Sequence, residues 1–354
     1  MKNFNSSALN SHVATHPSPG KGWGWALFLA SSIFIFTSCV DEEEYTDDPR
    51  GNFEALWHVM DEHYCFFSEK AIDWNEIHTR YARQINDDMT DKQLFEVLAG
   101  MLGELRDGHV NLYSPWDVAR NWSWHEDYPS NYDQALIDQY LGTDYHIASG
   151  MRYRLLDDNI GYLRSSSFTG AIGDGNLDEI LLHFATARGL IIDLRENSGG
   201  LLTSAETLAA RFTDEEILVG YMQHKTGTGH SDFSPMKEQR LKPSLGIRWH
   251  KPVVVLTNRK VFSAANEFVK YMRCCPGVTV IGDNTGGGAG LPFMSELPCG
   301  WTVRFSACPM YDRDKQSTEA GIAPDINIAL SPTDTANGHD TIIEHTRNII
   351  RSTP

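Results

Sequence analysis

The sequence predicts an α/β core with β hairpins, preceded by a small N-terminal helical bundle. Three observations predict it. From Asn159 onward, short apolar runs alternate with helical stripes, the pattern of strand–helix units. Ahead of them, residues 51–106 carry three amphipathic stripes in succession. Two further segments, Ile217–His224 and Trp301–Met310, read as hairpins interrupting the core. The 354 residues allow about two structural units, at roughly 100–200 residues each.

The chain opens with residues 1–38, which hold Lys2 and Lys21 and no acid. Trp23 to Phe36 is an apolar run, followed by Thr37-Ser38-Cys39. A positive flank, a short apolar stretch and small residues before a Cys read as a secretory signal. The stretch is shorter than the roughly 20 residues a membrane span needs. Its end resembles the lipobox of bacterial lipoproteins, which implies lipidation at Cys39. The expected protein is exported and lipid-anchored to the bacterial outer membrane, on its periplasmic or cell-surface side. Residues 39–50, with Asp41-Glu42-Glu43-Glu44, read as an acidic tether.

The bundle spans 51–112. Phe53, Leu56, Trp57, Met60 and Tyr64 recur at helical spacing. Trp74, Ile77 and Tyr81 follow Asp73, with Glu76 as its capping partner. Leu94, Phe95, Leu98, Met101, Leu102 and Leu105 form the third stripe, behind Thr90 and Gln93. Residues 113–155 show little periodicity and read as a connector with one helix near Asp133–Tyr140. The core, 156–330, alternates Ile160–Arg164, Leu177–Ala187, Leu190–Leu194, Leu202–Phe212, Val253–Thr257, Ala264–Met272 and Val278–Ile281. Residues 331–354 form a C-terminal helix and tail.

Composition narrows the function. Hydrophobic residues make up 41% and charged residues 22%, the balance of a globular protein. The formal charge of −17, with no run of Lys or Arg, argues against a nucleic-acid partner. Six cysteines occur without a CxxC pair, and the 14 histidines show no HExxH spacing, so neither a metal nor a cofactor is expected. Cys299 and Cys308 flank a hairpin and could pair; burial as free thiols is an equal expectation.

Four segments could carry chemistry. Ser263 stands between the buried strand Val253–Leu256 and the helix that begins at Ala264. It reads as an N-cap, as a surface hydroxyl, or as a nucleophile at the positive end of a helix. In the last case the Ala264 N–H would face a developing oxyanion. Gly199-Gly200, after the strand Leu190–Leu194, lets the backbone approach a ligand closely. No GK[ST] follows, so it is not a phosphate loop. His109 follows the turn Asp107-Gly108, and Glu319 precedes a turn and a strand. Taken singly, each is an ordinary loop residue.

Together and in this order, the four segments resemble the C-terminal processing peptidases, the tail-specific serine proteases that include the tricorn core. The resemblance covers residues 51–112 and 156–330. It rests on Asp193-Leu194-Arg195-Glu196-Asn197-Ser198-Gly199-Gly200, on Ser263 after the next parallel strand, and on Gly321-Ile322-Ala323-Pro324-Asp325. It implies a core related to the Clp protease and crotonase superfamily. It also implies a Ser263 nucleophile, a His109 base oriented by Glu319 directly or through water, and an oxyanion hole of Ala264 with Gly199 or Gly200.

Two departures stand out. One branch of the family uses a Lys in the turn that reads Gly286-Gly287-Gly288-Ala289-Gly290 here, and no Lys is present. The tricorn-like branch has a Ser where Gly108 stands. Residues 113–155 are also too few for the roughly 80–90-residue PDZ domain that many members carry. The expectation is a serine endopeptidase, a hydrolase cleaving tails or unfolded segments of exported proteins, with His109 titrating near the ordinary ~6.5. The alternative is a non-catalytic binding protein for hydrophobic ligands or peptides on the same scaffold. The oligomeric state is left open.

Overall fold

The computed structural model describes residues 45–353. The signal, the lipidation candidate Cys39 and the acidic run 41–44 lie outside the described residues. The expected tether ends sooner than 50, because helix α1 (Pro49–His63) already starts at Pro49. Asp48 caps it by accepting from the Gly51 N–H, and proline at the first helical position needs no donor. Helices α2 (Trp74–Ala82) and α3 (Asp91–Gly103) complete the bundle. Asp73 caps α2, and Thr90 with Gln93 closes a reciprocal capping box on α3.

The bundle does not stand alone. Strand β1 (Asn111–Tyr113) follows α3 and pairs with β2 (Val118–Arg120). Residues 134–155 supply helix α4 (Gln134–Leu141) and strands β3 (His146–Ala148) and β4 (Met151–Leu155). The segment expected as a connector therefore contributes strands to both sheets. The core continues with β5 (Gly161–Arg164), α5 (Asp174–His183), β6 (Leu190–Asp193), α6 (Leu202–Ala209), β7 (Ile217–Met222) and β8 (Lys237–Leu241). Then come β9 (Val253–Thr257), α7 (Ala264–Met272), β10 (Val278–Gly282), β11 (Gly290–Glu296), β12 (Thr302–Tyr311), β13 (Ile326–Asn327), α8 (Pro332–Ala336) and α9 (Thr341–Ser352).

Two sheets result. The first runs β13-β10-β9-β6-β5-β4-β3, parallel from β13 to β5 and antiparallel beyond. Both faces of the sheet are buried at its inner strands β6 and β9, so these are apolar at successive positions. Leu190, Ile192, Val253 and Val255 face a core with α5, α6 and α7. Ile191, Val254 and Leu256 face the opposite core with α4 and α9. The second sheet runs β2-β1-β12-β7-β8, with β11 also on β12. Its Val303 and Phe305, with Leu297 and Trp301 beside them, share one core with Phe53, Leu56, Leu98 and Met101 of the bundle. Bundle and α/β core thus lie in one unit beginning at Tyr45.

The end of β6 is locked from beneath. Arg195 is fully buried and grips Asp193 with two nitrogens, at 2.7 and 3.0 Å. It also reaches Asp340 at 2.8 Å, and Asp340 caps α9 through the Ile342 and Ile343 N–H groups. The five described cysteines are free thiols, Cys299 and Cys308 included.

Candidate active site

Ser263 sits where β9 hands over to α7. It holds the N-cap position of α7 without capping it: its side chain makes no capping bond, and its backbone is at φ 57°, ψ −125°. A non-glycine residue there is strained, at on the order of 1–3 kcal/mol. The neighbours enforce it: the Ser263 N–H donates to Gly287 O at 2.9 Å and the Phe262 N–H to Asn197 O at 3.1 Å. The hydroxyl is left partly exposed at the N-terminus of α7.

His109 arrives from the other side, on the turn between α3 and β1. Its Nε2 lies 2.9 Å from Ser263 Oγ. With the ring proton on Nδ1, Nε2 accepts from the hydroxyl. Burial lowers the imidazole pKa to about 4, with the neighbouring Arg304 and Lys70 cations adding to this and Asp107 opposing it. The ring is therefore neutral at ordinary pH, not half-titrated near 6.5. Nδ1 is buried, makes no well-formed hydrogen bond and meets no carboxylate; the Gly290 backbone is the acceptor beside the ring.

Of the two expected routes from Glu319 to His109, direct or through water, the direct hydrogen bond is not formed. Glu319 Oε1 is 2.9 Å from Lys70 Nζ and its Oε2 accepts from the Ala289 N–H at 2.8 Å, so both oxygens are committed elsewhere. Burial and the nearby Asp107 charge raise its pKa to about 8. The acid that holds His109 is Asp107, through the backbone: Oδ1 accepts from the His109 N–H at 2.8 Å. Its Oδ2 accepts from the Tyr64 and Ser306 hydroxyls, each at 3.0 Å, and lies 3.3 Å from Lys70. Burial alone would raise its pKa; Lys70, His109 and these hydrogen bonds hold it below the usual range. Asp107 was visible in the sequence as the first residue of the Asp-Gly-His turn. Lys70 gave no local signal.

The glycine turn packs onto the serine. A Cβ on Gly199 would lie 2.7 Å from Phe262 O, 2.8 Å from Ser263 Cβ and 2.9 Å from Ala264 N, and its φ is 100°. Its own N–H donates to Asn197 Oδ1 at 2.9 Å, so it is not open to an oxyanion. Among the described residues, neither the Gly200 N–H nor the Ala264 N–H donates to a protein acceptor. These two N–H groups are the ones left open beside Ser263.

The cleft over Ser263 encloses about 310 Å³ and is lined by His109, Trp122, Trp124, Phe262, Lys260 and Arg304 among others. Trp124 stacks on Phe262 at 4.3 Å between ring centroids, and its Nε1 donates to Arg259 O at 3.0 Å. This indole explains Gly108: a Cβ there would lie 2.8 Å from both Trp124 and Phe262. A serine at that position has no room. Lys260 is paired with Glu196 at 2.7 Å, and Lys270 with Glu267 at 2.5 Å, so neither lysine attends Ser263. Among the described residues, no group of three or more His, Cys, Asp or Glu is placed to hold a metal. No described helix is long and apolar enough to cross a membrane.

A strand–serine–helix elbow faces a neutral histidine on a mainly parallel sheet, an arrangement in which an imidazole can take a proton from a hydroxyl. Comparison with known proteins gives the family. Residues 159–328 match peptidase family S41, and residues 45–103 match the tricorn protease C1 domain. The chain belongs to peptidase family S41. It is 51% identical to a candidate peptidase from Parabacteroides merdae whose crystal structure superposes with a TM-score of 0.82, covering 86% of this chain and 97% of that one. It is 28% identical over 176 residues to the carboxy-terminal processing protease CtpA of Bacillus subtilis. That match spans 49% of this chain and only 36% of CtpA. Mature CPAF, complexed with lactacystin, shares the fold at 12% identity and a TM-score of 0.65, over 86% of this chain and 97% of that one.

Proposed function

We propose that this S41 peptidase is a serine endopeptidase that cleaves tails or unfolded segments of exported proteins through an acyl-enzyme. The observation that carries the reading is the 2.9 Å hydrogen bond between His109 Nε2 and Ser263 Oγ. In the proposed reaction, Ser263 Oγ attacks the peptide carbonyl while His109 Nε2 takes the hydroxyl proton. The carbonyl oxygen gains negative charge and is held by the Ala264 and Gly200 N–H groups at the positive end of α7. The imidazolium returns its proton to the leaving amine. Water then repeats the sequence against the acyl ester, releasing the acid and restoring Ser263.

Asp107 is the positioning group for His109, because it fixes the backbone from which the ring extends. The name of the Bacillus subtilis relative supports tails as substrates, and the family supports peptide bonds. Turnover of an unfolded protein substrate by the wild type, lost in Ser263→Ala, tests the reading; equal turnover by both would refute it. We further propose that Cys39 carries the lipid that anchors the exported chain. Cys39→Ser should leave the membrane fraction or stay unprocessed, and an unchanged N-terminal mass would contradict this.

A further inference from the structure

We propose that the cleft over Ser263 binds a carboxylate of the substrate on the guanidinium of Arg304. The inference rests on reading this cleft as the substrate cleft. Arg304 lies on β12 opposite Asn111 of β1, two residues past His109. It lines the same cleft of about 310 Å³ as Ser263 and His109. Its one side-chain hydrogen bond among the described residues goes to a neutral amide, Nη1 to Asn111 Oδ1 at 3.3 Å. It makes no ion pair with any described residue.

The chain has 47 acids for 30 bases, and several enclosed cations are paired with that excess. Lys70 holds Asp107 and Glu319, Arg195 holds Asp193 and Asp340, and Arg211 holds Asp174 and Asp178. Lys260, the other cation of the cleft, is already neutralised by Glu196. Arg304 alone brings an uncompensated charge to the cleft wall. Trp122, Trp124 and Phe262 bring aromatic surface to the same cleft, and its one carboxylate, Glu196, is the partner of Lys260. A guanidinium beside apolar rings is poorly hydrated and pairs two-pronged with a carboxylate, which an amide oxygen cannot match.

Occupancy would also reach the chemistry. Arg304 is one of the cations that lower the His109 pKa. A bound carboxylate cancels that charge and leaves the imidazole more basic when substrate is in place. The carboxylate could be a chain terminus or an Asp or Glu side chain, and the test separates the two.

The test measures binding rather than turnover. Ser263→Ala protein is titrated with two pairs of fluorescein-labelled Ala/Leu peptides, read by anisotropy. One pair differs only in a free or amidated C-terminus, the other only in a central Glu or Gln. At low salt, the carboxylate member of at least one pair should bind about tenfold tighter, the effect of about 1.4 kcal/mol. The preference should shrink with added salt. Adding Arg304→Gln should abolish it, and Arg304→Lys should keep part of it. The pair that responds names the source. Equal binding within both pairs, no binding by any peptide, or a preference that survives Arg304→Gln would overturn the proposal. A carboxylate preference in a protein whose Ser263 proves unreactive would instead remove the peptidase reading and leave this site standing.

Discussion

At the level of single residues, the proposed base His109 sets the expected pH behaviour. Its burial-lowered pKa of about 4 means the ring is already a base in mildly acid solution. kcat/KM should therefore rise through an acid limb near 4 and be flat across neutral pH. A limb near the ordinary ~6.5 would show that the ring is solvated in the working enzyme. Because the unfolded chain binds a proton on this His between those values and the folded chain does not, its contribution to stability is present above about 6.5 and lost as pH falls toward 4. Glu319 has the opposite sign. Its pKa is raised from 4.5 to about 8, so the stability it contributes is full below 4.5 and lost as pH rises through 8. Glu319→Gln removes that titration, and its denaturant midpoint relative to wild type should improve between about pH 6 and pH 9. A pH-independent difference would mean that Glu319 stays ionised in the fold. Gly199→Ala places a methyl against Ser263 and Ala264 N at a backbone angle alanine resists. It should lower kcat more than it raises KM, since it displaces the nucleophile rather than the cleft walls.

Among the elements, the joint between β6 and α9 rests on buried charge. Arg195, Asp193 and Asp340 are all fully buried, and Asp340 is also the cap of α9. Asp340→Ala leaves the guanidinium short of one partner and two helix N–H groups without acceptors. It should cost roughly 3–5 kcal/mol, the scale of a broken buried pair, read as a urea midpoint shift. A change under about 1 kcal/mol would place this joint with the weak surface pairs. The elements also divide by how legible they were. Val253–Thr257 and Ala264–Met272 carry the same bounds in the fold as in the sequence, because a β-branched run buried on both faces and a sustained helical stripe leave no rival pattern. Strands β2, β3 and β4 were not readable, being three to five residues long and bearing the partly exposed Arg152, Arg154 and His146. Of the site, Ser263 and His109 were legible only through the order of the four segments, because each alone reads as an ordinary loop residue. The cluster of Tyr64, Lys70, Asp107 and Ser306 draws on three distant parts of the chain, and no local pattern joins them. Trp124 and Arg304 were hidden likewise, one in an aperiodic loop and one as an ordinary strand residue.

For the whole molecule, bundle and core form one machine. The bundle covers Leu297, Trp301, Val303 and Phe305 of the second sheet and its edge, carries Lys70 just past α1, and ends in the turn that delivers His109. A chain starting at about residue 110 would lose the histidine and uncover an apolar sheet face, so it should be insoluble and inactive. A soluble, cooperatively unfolding fragment would show that the core folds without its bundle. The central claim is that Ser263 is a nucleophile activated by His109 across this joint. The measurement that reaches it most directly is labelling of the intact chain with a fluorophosphonate, followed by peptide mapping, in wild type, His109→Ala and Ser263→Ala. The account predicts one adduct, on Ser263, slowed at least about a thousandfold in His109→Ala, as expected when a serine loses its base, and absent in Ser263→Ala. An adduct on another serine such as Ser198, or undiminished labelling of Ser263 without His109, would contradict it.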